Sequence, residues 1–224
     1  MRAMVERIAW FRLEVPPMSR WETSRIEAFS DGVFAIAITL LVLDIGVPES
    51  AFDNLWRGFA DQWPSYLAYA TSFITIGGIW MLHHGVFRRL RYADNLVMRI
   101  NLLLLMAVSF LPFPTRLVAE AITSGSAERA AVVIYGAALL VISLTFGALS
   151  YAIARDPELL QPGVTAVEVR ALVRAVQPNA GFYVGFTFLA GVAPRVAAFG
   201  FLISSLTAVM RARGDSSASA PEVA

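Results

Sequence analysis

The sequence predicts an all-α integral membrane protein with six transmembrane helices, and three observations support this. Hydrophobic residues make up 57% of the 224 residues and charged residues only 16%, whereas roughly 25% of a soluble domain is charged. The apolar residues gather into segments of about 20 residues, the length that a helix needs to cross a bilayer. The arginines between these segments lie predominantly in alternate connections, as expected for a chain that crosses a membrane repeatedly.

Six apolar segments follow one another along the chain. We expect the first to end at Pro48 and the third to end or kink near Pro112 and Pro114, because proline cannot continue a regular helix. Gly191 and Pro194 indicate a tight turn between the last two segments. The predicted spans cover residues 28–48, 66–87, 95–112, 130–154, 172–192 and 193–211.

The distribution of basic residues predicts the orientation. All 18 are arginines. Thirteen lie in the N-terminal segment, in the connections after the second and fourth spans and in the tail, while four lie in the remaining connections and Arg99 lies within the third span. Because cytoplasmic connections carry the excess of basic residues, both termini are expected to be cytoplasmic and the number of spans even.

The composition also bounds the domain organisation and the classes of function. We expect a cytoplasmic N-terminal segment over 1–27, one membrane domain over 28–211 and a disordered cytoplasmic tail over 212–224; residues 2–15 could form a short amphipathic surface helix. A net charge of +1 gives no case for a nucleic-acid partner, and the lack of cysteine excludes thiolate sites. Since the common enzyme motifs are missing, neither an enzyme nor a cofactor is predicted.

The first span begins with a polar pair at the mouth of an apolar helix. Ser30 and Asp31 stand there, and a carboxylate in a membrane helix is costly unless it has partners. Asp31 either caps the helix, where the helix dipole favours an acid, or serves as an ion-attracting or coupling site. Arg25 lies six residues earlier and is poorly placed to pair along one face, so a partner from a neighbouring element is expected.

Along its length the first span carries a stripe of large apolar side chains on one side. Phe29, Ile36, Leu40 and Leu43 are spaced by seven, four and three residues, which places them on one helix face, with Thr39 beside them. Copies of this helix around an axis could form a hydrophobic constriction, with threonine oxygens offered to an ion. Spacing alone favours the ordinary alternative, in which the stripe faces lipid or packs within a bundle.

The second and third spans contribute polar residues at a similar depth to Asp31. His83 and His84 lie near the end of the second span, and Asn101 lies near the start of the third. A structural hydrogen-bond network among these side chains is favoured over proton sensing. Adjacent histidines point about 100° apart on a helix, so only one is expected to face the first span. No metal site is predicted, because more ligands at better spacing would be needed.

A longer pattern runs through the first three spans. It consists of Arg25, Phe29-Ser30-Asp31 with the GVFAIAITL run that follows, Trp80, His83, His84, Asn101 and the Pro112-Phe113-Pro114-Thr115 stretch. This pattern closely resembles the signature of the transmembrane protein 175 family, whose members are potassium channels. The remainder of the chain matches in hydropathy and length alone. A single six-span chain is similar to the prokaryotic members, which assemble as homotetramers around a pore lined by the first helix.

The resemblance implies a passive, potassium-selective channel of a bacterial cell membrane, with K⁺, membrane lipid and three further copies of the chain as partners. Ile36 would form the hydrophobic constriction, Leu40 and Leu43 would lie further along the same face, and Thr39 would add a layer of hydroxyl groups. A structural hub would tie the pore helix to the next two spans. Its expected members are Arg25, Phe29, Ser30, Asp31, His83, His84 and Asn101.

Two other classes of function stay open at the level of sequence. A proton-coupled cation carrier or exchanger would use Asp31 with His83 or His84 in alternating access, although such carriers have more charge at mid-depth than this chain. A membrane scaffold that conducts nothing would tolerate polar residues in place of Ile36, Leu40 and Leu43.

Overall fold

The computed structural model describes residues 21–46, 49–121, 126–176 and 180–217. These residues are almost entirely helical, as the sequence predicts. The predicted surface helix over residues 2–15 and the tail from 218 onward lie outside the described residues.

Nine α-helices and two short strands make up the described part of the chain. The helices are α1 (Thr23–Leu40), α2 (Leu55–Asp61), α3 (Trp63–Phe87), α4 (Asn95–Phe110), α5 (Pro112–Ala121), α6 (Ser126–Arg155), α7 (Ala166–Val176), α8 (Ala180–Ala190) and α9 (Pro194–Ser217). Short 3-10 helices cover Leu41–Asp44, Glu49–Asn54 and Pro157–Leu159. The strands are β1 (Trp21–Glu22) and β2 (Tyr92–Ala93), which pair antiparallel.

Four helical stretches are long and apolar enough to cross a membrane. They are Thr23–Asp44, Trp63–Phe87, Asn95–Ala121 and Ala127–Arg155. Two further apolar helices, Ala180–Ala190 and Pro194–Met210, are shorter. The long stretches correspond to the first four predicted spans, so the expectation of a membrane-embedded all-α protein is confirmed.

The predicted fifth span, residues 172–192, includes parts of two described helices, α7 and α8, with eleven residues each. Residues 177–179 between them lie outside the described residues, so one span over 172–192 stays a prediction.

Helix α7 has the pattern of a helix at the bundle surface. Val169 and Val173 are buried, whereas Arg170 and Arg174 are exposed. A helix with one apolar face and one charged face packs against a core on the first and meets a polar environment on the second. This element accounts for the first part of the predicted fifth span.

Several boundaries differ from those predicted. Helix α1 begins at Thr23, five residues earlier than expected, and its α-helical part ends at Leu40 before the 3-10 turn. Helix α9 continues to Ser217, so residues 212–217 of the expected disordered tail are helical. The third span breaks between α4 and α5, immediately before Pro112, where the sequence predicts an end or a kink.

Helix α1 packs against α3 and α4 along one side of the bundle. Its buried residues are Ile26, Ser30, Phe34 and Ala37, followed by Leu41 in the 3-10 turn. They recur every three or four residues and therefore form one helix face. Helix α6 lies centrally and contacts α4, α5, α8 and α9. The opposite face of α1 is consequently left without cover from the described chain.

Candidate functional site: the uncovered face of helix α1 and its polar anchor

The uncovered face of α1 is the stripe that the sequence predicts. Phe29, Ile36, Leu40 and Leu43 are all exposed, with Ile36 at 62% and Leu43 at 74%. Because these residues share one helix face, the exposed apolar surface is continuous along the helix. In a membrane helix such a face meets either lipid or another copy of the chain.

Thr39 lies beside this stripe and is also exposed. Its Oγ1 hydroxyl donates to the backbone oxygens of Ala35 at 3.0 Å and Ile36 at 2.9 Å. Since the hydroxyl proton is committed to the helix backbone, the lone pairs of the oxygen are left to accept a hydrogen bond or to contact a cation. Thr39 therefore offers an oxygen ligand next to Ile36.

A buried polar cluster anchors the opposite face of α1. Asn101 Nδ2 on α4 donates to Ser30 Oγ on α1 at 3.1 Å, and Asn101 Oδ1 lies 2.9 Å from His83 Nε2 on α3. All three side chains are fully buried. Because Oδ1 is an acceptor, His83 carries its proton on Nε2, and its Nδ1 has no partner among the described residues. One side chain from each of three helices thus forms the anchor.

Aromatic rings fix the orientation of His83. The imidazole stacks on Phe87 with the ring centroids 4.2 Å apart and meets Phe34 of α1 at 5.3 Å. These two contacts hold the ring plane so that Nε2 points at Asn101. The histidine is therefore positioned by packing as well as by its hydrogen bond.

A second set of contacts lies beside this cluster. Trp80 Nε1 donates to Asp31 Oδ1 at 2.8 Å, and the Trp80 indole stacks on His84 at 5.8 Å. His84 Nδ1 lies 2.6 Å from Glu27 Oε1, although the carboxylate is not aligned with a ring N–H as a hydrogen bond requires. Asp31, the carboxylate that the sequence analysis identifies, therefore has the neutral indole N–H of Trp80 on α3 as its partner.

Both histidines contact α1, so the expectation that only one would do so was wrong. His83 meets Phe34 and His84 meets Glu27. Glu27 and Phe34 are seven residues apart and share one face of α1. The surface between α1 and α3 is therefore broad enough to include two adjacent positions of α3.

Two predicted members of the hub do not join it. Phe29 is 58% exposed and lies on the uncovered stripe, whereas Phe34 supplies the aromatic contact to His83. Arg25 is exposed and forms no hydrogen bond or ion pair with any residue in the described ranges. Within the same ranges, no group of three or more His, Asp or Glu side chains is placed to hold a metal ion.

Sequence reasoning missed four residues that complete the anchor: Glu27, Phe34, Trp80 as a hydrogen-bond donor, and Phe87. Helical spacing contains a usable signal for two of them, Glu27 and Phe87. Glu27 and Asp31, like His83 and Phe87, are separated by four residues and are therefore neighbours on their helices.

Several known proteins are similar to this chain in sequence and fold. Residues 25–112 match the family model described as the endosomal/lysosomal potassium channel TMEM175. A potassium channel of Streptomyces collinus is 44% identical over 151 residues, covering 67% of this chain and 73% of that protein. A potassium channel of Chamaesiphon minutus is 42% identical over 174 residues, covering 76% and 84% respectively. The chain belongs to the TMEM175 family.

The fold similarity extends beyond the region that the family model matches. The crystal structure of a lysosomal potassium-selective channel TMEM175 homolog from Chamaesiphon minutus superposes with a TM-score of 0.75 at 36% identity. The superposition covers 85% of this chain and 97% of that one. This TMEM175 family member is therefore a multi-pass membrane protein, and the bacterial relatives match most of its length.

Proposed function

We propose that this chain forms a passive, potassium-selective channel in which α1 helices from four copies line the pore. The uncovered apolar face of α1 is the observation that carries the proposal, because the opposite face is held in the protein by buried hydrogen bonds. The named activity of the bacterial relatives supports it.

The constriction is assigned to Ile36. A ring of four branched side chains would leave a narrow apolar neck, through which an ion passes only after losing part of its hydration shell. Potassium holds its water less tightly than sodium, so its partial dehydration costs less free energy. The Thr39 oxygens, about one helical turn further along α1, would replace part of the lost hydration. This arrangement discriminates between the two ions, but more weakly than a filter lined with carbonyl groups.

The polar anchor is assigned a supporting role. It fixes the rotation of α1 about its own axis, so that Ile36 and Leu40 face the pore rather than the bundle. Asp31 accepts a hydrogen bond from Trp80, and this contact favours a structural role for the carboxylate over the ion-coupling role that a carrier requires.

The test is potassium flux into liposomes that contain purified protein, with sodium on the opposite side. Ile36→Asn should raise sodium permeability relative to potassium several-fold, because a polar neck no longer demands dehydration. Ile203→Asn is the matched control: Ile203 lies on α9 and is 61% exposed, so the same substitution is made at equal exposure.

Four results would contradict the proposal. Ion ratios that do not change in Ile36→Asn would remove Ile36 from the constriction. An equal change in Ile203→Asn would indicate general damage to the protein. A flux that saturates and needs an opposing proton gradient would point instead to a carrier, and no flux at all would favour the scaffold.

A further inference from the structure

A cavity of about 370 Å³ lies within the bundle, far from the polar anchor of α1. It is enclosed by α3, α5, α6 and α9 at the end of the bundle where α3 begins and α5 ends. Its walls are mainly apolar and include Leu67, Ala68, Val118, Val132, Ala198 and Leu202. The volume falls near the lower end of the range of about 300–1,000 Å³ for ligand sites, which leaves room for one acyl chain but not two.

The inner end of the cavity carries three hydroxyl groups that satisfy one another. Ser72 Oγ lies 2.7 Å from Thr115 Oγ1 and 3.2 Å from the Tyr135 hydroxyl. Thr115 also donates to the backbone oxygen of Leu111. These groups therefore need no polar partner from a ligand, and the inner end can be filled by the apolar tail of one. Trp63 and Ser72 are nine residues apart on α3, so the cavity is about 14 Å deep.

The mouth of the cavity is charged and aromatic. Trp63 and Phe199 are about half exposed there, and the Arg195 side chain is 73% exposed. Arg195 Nε donates to Glu128 Oε1 at 3.1 Å, and the Glu128 side chain is only 8% exposed. A guanidinium presents five N–H donors, and this pair uses one of them. The remaining donors have no partner in the described part of the chain and can take an anionic group at the cavity mouth.

We propose that this cavity binds a fatty acid, with the acyl chain among the apolar walls and the carboxylate on Arg195. The size accommodates one chain, the inner end requires no polar group, and the guanidinium supplies charge complementarity at the mouth. Each methylene group buried contributes about 0.8 kcal/mol, so the chain provides most of the affinity and the head group provides the selectivity for anions. This site is independent of the pore assigned to α1.

Trp63 makes the site measurable, because a bromine atom on a bound chain quenches a neighbouring indole. Purified full-length protein in detergent is titrated with 2-bromododecanoate, whose bromine lies beside the carboxylate and therefore near Trp63 at the cavity mouth, while tryptophan fluorescence is followed. We expect saturable quenching that is largely lost in Trp63→Phe. Quenching that rises without saturation, or that is unchanged in Trp63→Phe, would place the probe elsewhere and overturn the proposal.

Two variants that change the charge at the cavity mouth should shift the Kd in opposite directions. Arg195→Gln should raise the Kd for the bromo fatty acid about tenfold, since a charge-assisted contact is lost. Glu128→Gln should lower the Kd, because the acid that competes for Arg195 becomes neutral. Arg57→Gln is the matched control, because Arg57 is an exposed arginine paired with Asp61 and does not line the cavity.

Two further probes test which head group the cavity mouth binds. The methyl ester of 2-bromododecanoate should bind wild type about tenfold more weakly than the acid and should be insensitive to Arg195→Gln. Equal affinities for acid and ester, or equal effects of Arg195→Gln and Arg57→Gln, would overturn the assignment of Arg195. Displacement of the probe by an anionic phospholipid at lower concentration than by dodecanoate would identify a phospholipid as the occupant and contradict the fatty acid.

Discussion

Asn101 is the side chain through which three helices are joined. Its amide donates to Ser30 on α1 and accepts from His83 on α3, and none of these groups is exposed. A buried amide left without a partner costs about 1–3 kcal/mol. Ser30→Ala removes the acceptor of Asn101 Nδ2 and should lower protein stability by that amount, measured as a lower thermal unfolding temperature in detergent.

Ser109→Ala is the matched control for this change. Ser109 lies on α4, is exposed and donates only to the backbone oxygen of Met106 in its own helix. Its loss should leave the unfolding temperature nearly unchanged. If both alanine variants unfold at the wild-type temperature, the buried cluster is not a stabilising anchor.

The contact between Trp80 and Asp31 leads to a second prediction at this scale. Trp80→Phe retains an aromatic ring beside His84 but removes the indole N–H that Asp31 accepts. In a double-mutant cycle with Asp31→Asn, we expect a coupling energy of about 1 kcal/mol in unfolding free energy. Trp56→Phe is the control, because Trp56 is 87% exposed. Strictly additive effects of the two variants would contradict a direct interaction.

Sequence alone could place these residues at one depth but could not pair them. Helical spacing shows that Ser30, His83 and Asn101 lie near one end of their helices. Which face of each helix meets its neighbour depends on the packing of large side chains such as Phe34, and that packing is not encoded in any single segment. Phe29 was expected in the hub because of the family resemblance, whereas its spacing places it on the stripe with Ile36, and the structure agrees with the spacing.

At the scale of elements, hydropathy predicts α1, α3, α4 with α5, and α6, because each is long and apolar. Over residues 172–192 the described residues belong to α7, which has a charged face, and to the short apolar helix α8. Neither helix alone has the length of about 20 residues that a span needs.

Small residues decide how closely the helices of the second half approach one another. Gly136 on α6 has no room for a side chain: a Cβ there would overlap Thr187 of α8 and lie 2.9 Å from the ring of Phe201 on α9. Gly136→Ala should therefore force α6, α8 and α9 apart and destabilise the protein by about 1–3 kcal/mol. The measurement is the free energy of unfolding, or the unfolding temperature in detergent.

Gly147 provides the control within the same helix. A Cβ at this position of α6 would meet no atom within 4 Å. Gly147→Ala should be neutral or stabilise the helix by roughly 0.5–1 kcal/mol, because alanine loses less backbone entropy than glycine. Equal effects of the two substitutions would show that the close packing around Gly136 does not contribute to stability.

At the scale of the whole molecule, a single chain leaves two kinds of exposed apolar surface that look alike. Ile36 on α1 and Ile203 on α9 are exposed to nearly the same extent, at 62% and 61%. In a tetramer with α1 at the centre, the first would face three other copies and the second would not face the pore. Burial in one chain cannot distinguish them, so assembly has to be tested directly.

The chain contains no cysteine, so a single introduced cysteine is a unique reporter of position. Four Ile36→Cys side chains around one axis would offer thiolates to Cd²⁺, a soft ligand set that binds such ions tightly. We expect Cd²⁺ to block most of the potassium flux of Ile36→Cys in liposomes and a chelator to restore it. The cysteine-free protein and Ile203→Cys should conduct equally with and without Cd²⁺. Block of Ile203→Cys to the same degree, or no block of a conducting Ile36→Cys, would place the ion pathway away from α1 and contradict the assembly on which the proposed function depends.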